Sequence, residues 1–149
     1  MHRVAVAPAD VLRAIGSESR LRALHLLQGR ELCVCELVDV LGRPHYAVSR
    51  DLAALQDAGF IHARREGSWV YHSIAADAVA DPFLGGLLGL IERRLADIPR
   101  AMADRDRLER RLSLRVGERC VVAVADLPSP TPVRPELFPG GSDGERRDL

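Results

Sequence analysis

The sequence predicts a mainly α fold with one small β-hairpin (α+β), and three observations carry that expectation. Apolar residues recur at helical spacing in four short segments between residues 8 and 59, separated by glycine and proline. The period then shortens around Glu66-Gly67-Ser68, where "FIHARREGSWVYHSIA" divides into two β-prone halves. Helical spacing returns over residues 83–113.

The elements follow in order. In "PADVLRAIG", Pro8 suits a first helical turn, Val11, Leu12 and Ile15 share a face, and Gly16 closes the helix. In "SESRLRALHLLQG", Ser17 is an N-cap residue, Leu21, Leu24 and Leu27 make the stripe, and Gly29 is the stop. A third helix is expected from about Cys33 to Leu41, with Leu37, Val40 and Leu41 inward. The turn signal Gly42-Arg43-Pro44 leads into a fourth, "PHYAVSRDLAALQDAG", with Val48, Leu52 and Leu55 inward and Gly59 as terminator. After the hairpin, Leu84, Leu87, Leu88, Ile91, Leu95, Ile98 and Met102 form the long apolar stripe, which Pro99 kinks or splits. "ERCVVAV" at 118–124 reads as a strand or extended run. From Asp126 onward, five prolines and three glycines with few apolar anchors predict a disordered tail. The expected organisation is therefore a domain over 1–113, an extension over 114–125 carrying Cys120, and a tail over 126–149.

Composition narrows the function. The 149 residues suffice for one ordinary core, and basic and acidic residues balance at 21 each, so net charge alone points to no polyanion. Every basic residue of the 21 is arginine, the better fork for phosphate and guanine edges. Three cysteines are too few for a disulfide scaffold and suit a reducing cytoplasm. The N-terminus lacks the apolar core of a signal peptide, and "AVADPFLGGLLGLI" is broken by Asp81, Pro82 and three glycines, so a cytoplasmic location is expected.

Two short helices joined by a tight turn and followed by a hairpin describe a winged helix-turn-helix. With Val48, Leu52 and Leu55 inward, the fourth helix turns His45, Tyr46, Ser49, Arg50 and Gln56 outward as candidate contacts to double-stranded operator DNA. Arg64 and Arg65, just before the hairpin tip, are candidates for phosphate or minor groove. Residues 43–72 hold four arginines and three histidines against three acids, a local positive lean. The excess of apolar positions in 83–113 favours a homodimer presenting two reading helices, paired through the N- and C-terminal helices.

The stretch "ELCVCELVDVL" places Cys33 and Cys35 at i and i+2, where a regular helix points them about 200° apart. Both reach one ion only if the first turn is frayed, so ligation and helix geometry would compete. The chain offers three sulfurs, Cys33, Cys35 and Cys120, a number that fits three-coordinate thiolate binding of trivalent arsenic or antimony. A four-thiolate site would need outside ligands. Two half-buried thiols without a ligand are the competing reading, and Cys120 beside Val121 and Val122 reads equally well as core. His25 is expected to pack on its helix; His45, His62 and His72 are expected at the surface or toward DNA. An H-E-x-x-H signature, a phosphate loop and a nucleophile elbow are all missing from the sequence, and no enzymatic function is expected.

"ELCVCELVDVL", "AVSRDLAALQDAGFI" and "RREGSWVYHSI" together resemble the ArsR/SmtB family of metalloregulatory repressors, within it the arsenic-responsive branch, over residues 8–100. The resemblance implies a homodimeric winged-helix repressor that leaves its operator when arsenite, or antimonite, binds its cysteines. Two departures bear on the site. The third cysteine of the arsenic box is replaced by Val38, which leaves Cys120 as the remaining protein thiol. The "S-x-H-L" of the reading helix is "SRDL" here, and Asp51 is expected to turn inward or pair with an arginine. The alternatives are a repressor of another thiophilic ion, or a thiol redox-sensing repressor in which Cys120 pairs with another cysteine. A thiol oxidoreductase or metal-buffering protein is disfavoured, because C-x-x-C and a βαβ alternation are missing.

Overall fold

The computed structural model describes residues 6–117 and 119–120. Helix α1 (Pro8–Ile15) opens on Pro8 and ends at Gly16, and α2 (Glu18–Leu27) follows directly. Strand β1 (Leu32–Cys33) leads into α3 (Val34–Leu41), and α4 (His45–Asp57) comes next. Strands β2 (Ile61–Glu66) and β3 (Trp69–Ile74) form the hairpin around Gly67. Helices α5 (Ala76–Ala80), α6 (Pro82–Leu95) and α7 (Pro99–Leu112) complete the described chain.

The mainly α fold with a wing holds, with three differences from expectation. The sheet has three antiparallel strands in the order β1-β3-β2, because Leu32 and Cys33 pair with His72 and Tyr71. The third helix starts at Val34, one residue later than expected. A short helix, α5, precedes the long stripe. Pro99 does split that stripe: α6 ends at Leu95 and α7 restarts at Pro99, whose missing N–H is no loss in a first turn. The expected tail at 126–149 and residues 121–125 of the extension lie outside the described residues.

Leu24, Leu27, Leu37, Val48, Leu52, Leu55 and Phe60 are fully buried and centre the core between α2, α3 and α4. Each such side chain contributes about 1.5–3 kcal/mol by leaving water. Leu84, Leu88, Ile91 and Leu95 seat α6 on the same core. Helix α7 packs on α3 and α2 with few apolar residues, and a buried ion pair fixes it: Arg22 donates to both oxygens of Asp104 at 2.7 and 2.8 Å. Gly42, with φ of 67°, caps α3 in the left-handed conformation and sets the turn between α3 and α4.

Among the described residues, no helix is long and apolar enough to cross a membrane. Leu12, Phe83, Leu90, Ile98 and Met102 remain exposed on or beside α1, α6 and α7.

Candidate metal centre and nucleic-acid interface

Cys33 answers the question raised by the C-x-C spacing. It is extended, with φ −85° and ψ 162°, and pairs with Tyr71 across β1 and β3. Cys35 stands one turn-position further, inside α3. The two thiols therefore belong to different elements, and Cys33 is already free of helical geometry without fraying of α3. Cys33 also caps α3 reciprocally with Glu36. Its sulfur accepts the Glu36 N–H, and its own N–H donates to Glu36 Oε1 at 3.0 Å.

The structure brings Cys33 and Cys120 together. Their sulfurs and the Glu36 carboxylate all lie within 4.8 Å of one another, and all three residues are buried. Cys35 is half-buried and packs against the same cluster with Trp69 and Tyr71, but its sulfur falls outside that close group. Of the three predicted sulfurs, two converge and the third waits at the edge.

A strap of chain after α7 delivers Cys120. Val116 and Arg119 exchange backbone hydrogen bonds of 3.0 Å around Gly117, which turns the chain back toward α3. Arg115 then donates through Nε and Nη2 to the two oxygens of Glu36, both at 2.6 Å, and through Nη2 to the Glu31 carbonyl at 2.8 Å. Cys120 N–H donates to the Tyr71 hydroxyl at 2.9 Å, and Arg111 Nη2 approaches the Cys120 sulfur at 3.8 Å. Glu36, Tyr71 and Arg115 were not singled out in the sequence. Glu36 had a local signal, since it stands three residues after the capping Cys33; the Arg115 partnership, 79 residues distant, had none.

Electrostatics keep Cys33 protonated. Burial pushes its thiol well above the ordinary value, and the adjoining Cys120 thiol and Glu36 charge push the same way, against the Glu36 N–H. A strong bond from sulfur to a thiophilic centre is what displaces such a proton. The close group holds two buried thiols and the Glu36 carboxylate, whose two oxygens Arg115 occupies, so the thiols, with Cys35 at the edge, are the soft donors left to a ligand.

The residues expected to contact nucleic acid lie on α4 and the wing, and His45, Ser49 and Gln56 line one cavity with Cys33 and Cys35. On α4, His45, Tyr46, Arg50 and Gln56 are exposed and Ser49 is half-buried. Tyr46 and Arg50 stack, with the guanidinium 5.7 Å from the ring centre. Asp51 turns inward, 7% exposed, accepting from Ser19 at 2.8 Å, from Arg20 at 3.2 Å and from Arg43. On the wing, Arg64 is committed: it grips Glu31 with two bonds of 2.7 Å, meets Glu66 at 2.7 Å and covers the Tyr71 ring at 5.0 Å. Its grip holds the Glu31 carboxyl below the usual range. Arg65 pairs across the hairpin with Val70 and is exposed. Histidines divide. His25 is buried between Glu92 and Arg105, and His62 bonds Ser73 at 3.1 Å. His72, expected at the surface or toward DNA, is buried at 6% exposure on β3, the central strand of the sheet.

Comparison with known proteins gives one consistent result. The family described as "Bacterial regulatory protein, arsR family" matches residues 17–63. An uncharacterized HTH-type transcriptional regulator of Methanocaldococcus jannaschii is 36% identical over 74 residues, 49% of this chain and 83% of that protein. The arsenic resistance transcriptional regulator ArsR2 of Pseudomonas putida is 40% identical over 70 residues, 46% of this chain and 61% of that protein. The chain thus spans about three-fifths of the length of that arsenic regulator. Among solved structures, the homodimeric winged helix-turn-helix DNA-binding domain of Mb0332 from Mycobacterium bovis is 31% identical, with a TM-score of 0.50, over 60% of this chain and 77% of that one. Reduced HlyU from Vibrio cholerae is 28% identical with a TM-score of 0.50, over 57% of this chain and 84% of that one.

Proposed function

The chain belongs to the arsR family of DNA-binding regulators, which are not enzymes, and from that premise we propose that it is a homodimeric repressor which drops its operator when Cys33, Cys120 and Cys35 capture trivalent arsenic. One observation carries this reading: two buried sulfurs already converge at the start of α3, the helix that packs directly behind α4. Relatives named for arsenic resistance support the choice of inducer. Antimonite offers the same three-coordinate chemistry and is a second candidate.

In this account Cys33 and Cys120 supply the prearranged pair and Cys35 closes the set. Each thiol passes its proton to a hydroxide of arsenious acid, which leaves as water while a sulfur–arsenic bond forms. Drawing Cys35 in shifts the first turn of α3 or the strap. Both are tied to the wing: Tyr71 holds Cys120, and Glu66 at the hairpin tip pairs with Arg119 at 2.8 Å. A coupling of ~1–3 kcal/mol between capture and DNA grip lowers operator affinity roughly 5–150-fold.

For the operator, α4 would lie in the major groove with His45, Tyr46, Ser49, Arg50 and Gln56 toward the bases and backbone, and Arg65 toward phosphate. Arg64 serves this reading only if it exchanges Glu31 and Glu66 for DNA. Exposed Leu12, Ile98 and Met102 fit pairing through the N- and C-terminal helices, and the similar Mb0332 domain is homodimeric.

Fluorescence anisotropy on a fragment of the protein's own promoter, in phosphine reductant, tests the proposal. Arsenite should release the wild type, while Cys33→Ala and Cys120→Ser should stay bound. Release that survives both substitutions contradicts the ligand assignment. The closeness of Cys33 and Cys120 also favours a redox reading, in which peroxide joins them as a disulfide. Release by peroxide without arsenic, and none by arsenite, would select it.

A further inference from the structure

Arg64, the wing arginine expected at DNA, is built into the surroundings of the thiols. Cys33, Tyr71 and Arg64 stand opposite one another across β1, β3 and β2, so they form one row on one face of the sheet. Tyr71 is buried in the middle of that row. Its hydroxyl accepts the Cys120 N–H at 2.9 Å, and the Arg64 and Arg115 guanidiniums lie 5.0 and 5.9 Å from its ring centre. The strap that carries Cys120 also props the two acids that grip Arg64. Arg115 donates to the Glu31 carbonyl at 2.8 Å. Arg119 takes the Glu66 oxygen that Arg64 leaves open, at 2.8 Å. Arg64 holds both the Glu31 and the Glu66 carboxyl below the usual range, so both stay charged. Each ion pair is partly exposed and weak alone, so a DNA phosphate can take its place.

We propose that Arg64 is the residue through which inducer capture reaches the wing. It moves from the seat made by Glu31, Glu66 and Tyr71 to a phosphate in the operator complex, and arsenic bridging Cys33 and Cys120 locks it in the seat. The inference deepens the repressor reading and rests on it. The cause is mechanical: arsenic ties the strap to β1, and the strap holds both carboxylates where Arg64 needs them. A ligand shifts such an equilibrium only by binding its two states unequally, and a firmer seat is that difference. Arg65, exposed at the next position, points to the opposite face of the strand and stays available to DNA with or without arsenic.

Operator affinity across a salt series tests the switch. Anisotropy on the protein's own promoter fragment is recorded with and without arsenite for the full-length wild type, Arg64→Met, Glu31→Gln and the double variant, each checked for fold by circular dichroism. Arg64→Met should lower the salt slope by about one unit for each chain bound, and arsenite-loaded wild type should show that same lower slope. Glu31→Gln opens the seat, so it should bind DNA about two- to fivefold more tightly, the worth of one exposed ion pair, and be released less by arsenite. Equal arsenic content in Glu31→Gln and wild type, counted by mass spectrometry, shows that capture is intact. In the Arg64→Met background, Glu31→Gln should change nothing; tightening there would come from the lost charge alone and would overturn the proposal. Arg65→Met should lower the slope and leave the release factor unchanged. Equal release factors in wild type, Arg64→Met and Glu31→Gln would overturn the switch and leave the arsenic reading standing. A wild type that ignores arsenite contradicts the inducer reading and overturns the lock with it, while the Glu31→Gln comparison, made without arsenite, still decides whether the seat withholds Arg64 from DNA.

Discussion

Removing the guanidinium that holds the strap should be more damaging than removing the carboxylate it holds. Glu36 is fully buried, and Arg115 occupies both of its oxygens at 2.6 Å. Arg115→Met leaves that carboxylate facing protein with Cys33 N–H as its remaining partner, an uncompensated buried charge worth about 3–5 kcal/mol of lost stability. Glu36→Gln keeps an oxygen for the Cys33 N–H, and the freed Arg115 side chain, 18% exposed, reaches water. Its loss should be about 1–2 kcal/mol. The double variant removes both charges, so it should be more stable than Arg115→Met alone, with a coupling of at least about 2 kcal/mol. Urea unfolding followed by far-ultraviolet circular dichroism, at one fixed protein concentration, measures all four forms. Diamide should also join Cys33 to Cys120 more slowly once the strap loses Arg115. A loss below about 1 kcal/mol for Arg115→Met, or a double variant no better than it, refutes the reasoning.

Two further outcomes follow from the packing. A methyl on Gly85 would meet the Val79 carbonyl oxygen at 2.5 Å, where α5 abuts α6, so Gly85→Ala should lose about 1–3 kcal/mol. Gly86, with nothing within 4 Å, is the control, and its alanine variant should gain up to about 1 kcal/mol in urea unfolding. His72 is held below its ordinary value of 6.5 by burial and by His62, so the unfolded chain takes up the proton first. The stability this neutral ring allows is present in full above pH 6.5 and declines as pH falls below it. His72→Phe should flatten the fall in unfolding midpoint between about pH 6.5 and pH 5, and an unchanged slope would show that other groups set it.

What the sequence revealed was what glycine, proline and apolar spacing encode locally. Gly16, Gly42 and Gly59 marked the ends of α1, α3 and the α4 turn, and Pro99 marked the break between α6 and α7. The inward set Val48, Leu52 and Leu55 was legible for the same reason. Strand β1 was not, because two residues carry no period and become a strand through pairing with β3, far along the chain. That one pairing moved Cys33 out of the helix. The site was half legible: the sequence named Cys33, Cys35 and Cys120 and the structure brings Cys33 and Cys120 together, whereas Cys35 stands aside and Tyr71 and Arg115 enter through contacts with no local signature.

The most direct test of the arsenic account counts sulfurs. Arsenic K-edge absorption of the loaded wild-type protein should show three sulfur neighbours around each arsenic. The count should fall to two, with an oxygen in the vacated place, in either Cys120→Ser or Cys35→Ala. An unchanged three-sulfur shell in Cys120→Ser, in a buffer without added thiol, would mean that the strap carries no ligand and that the proposed centre is wrong.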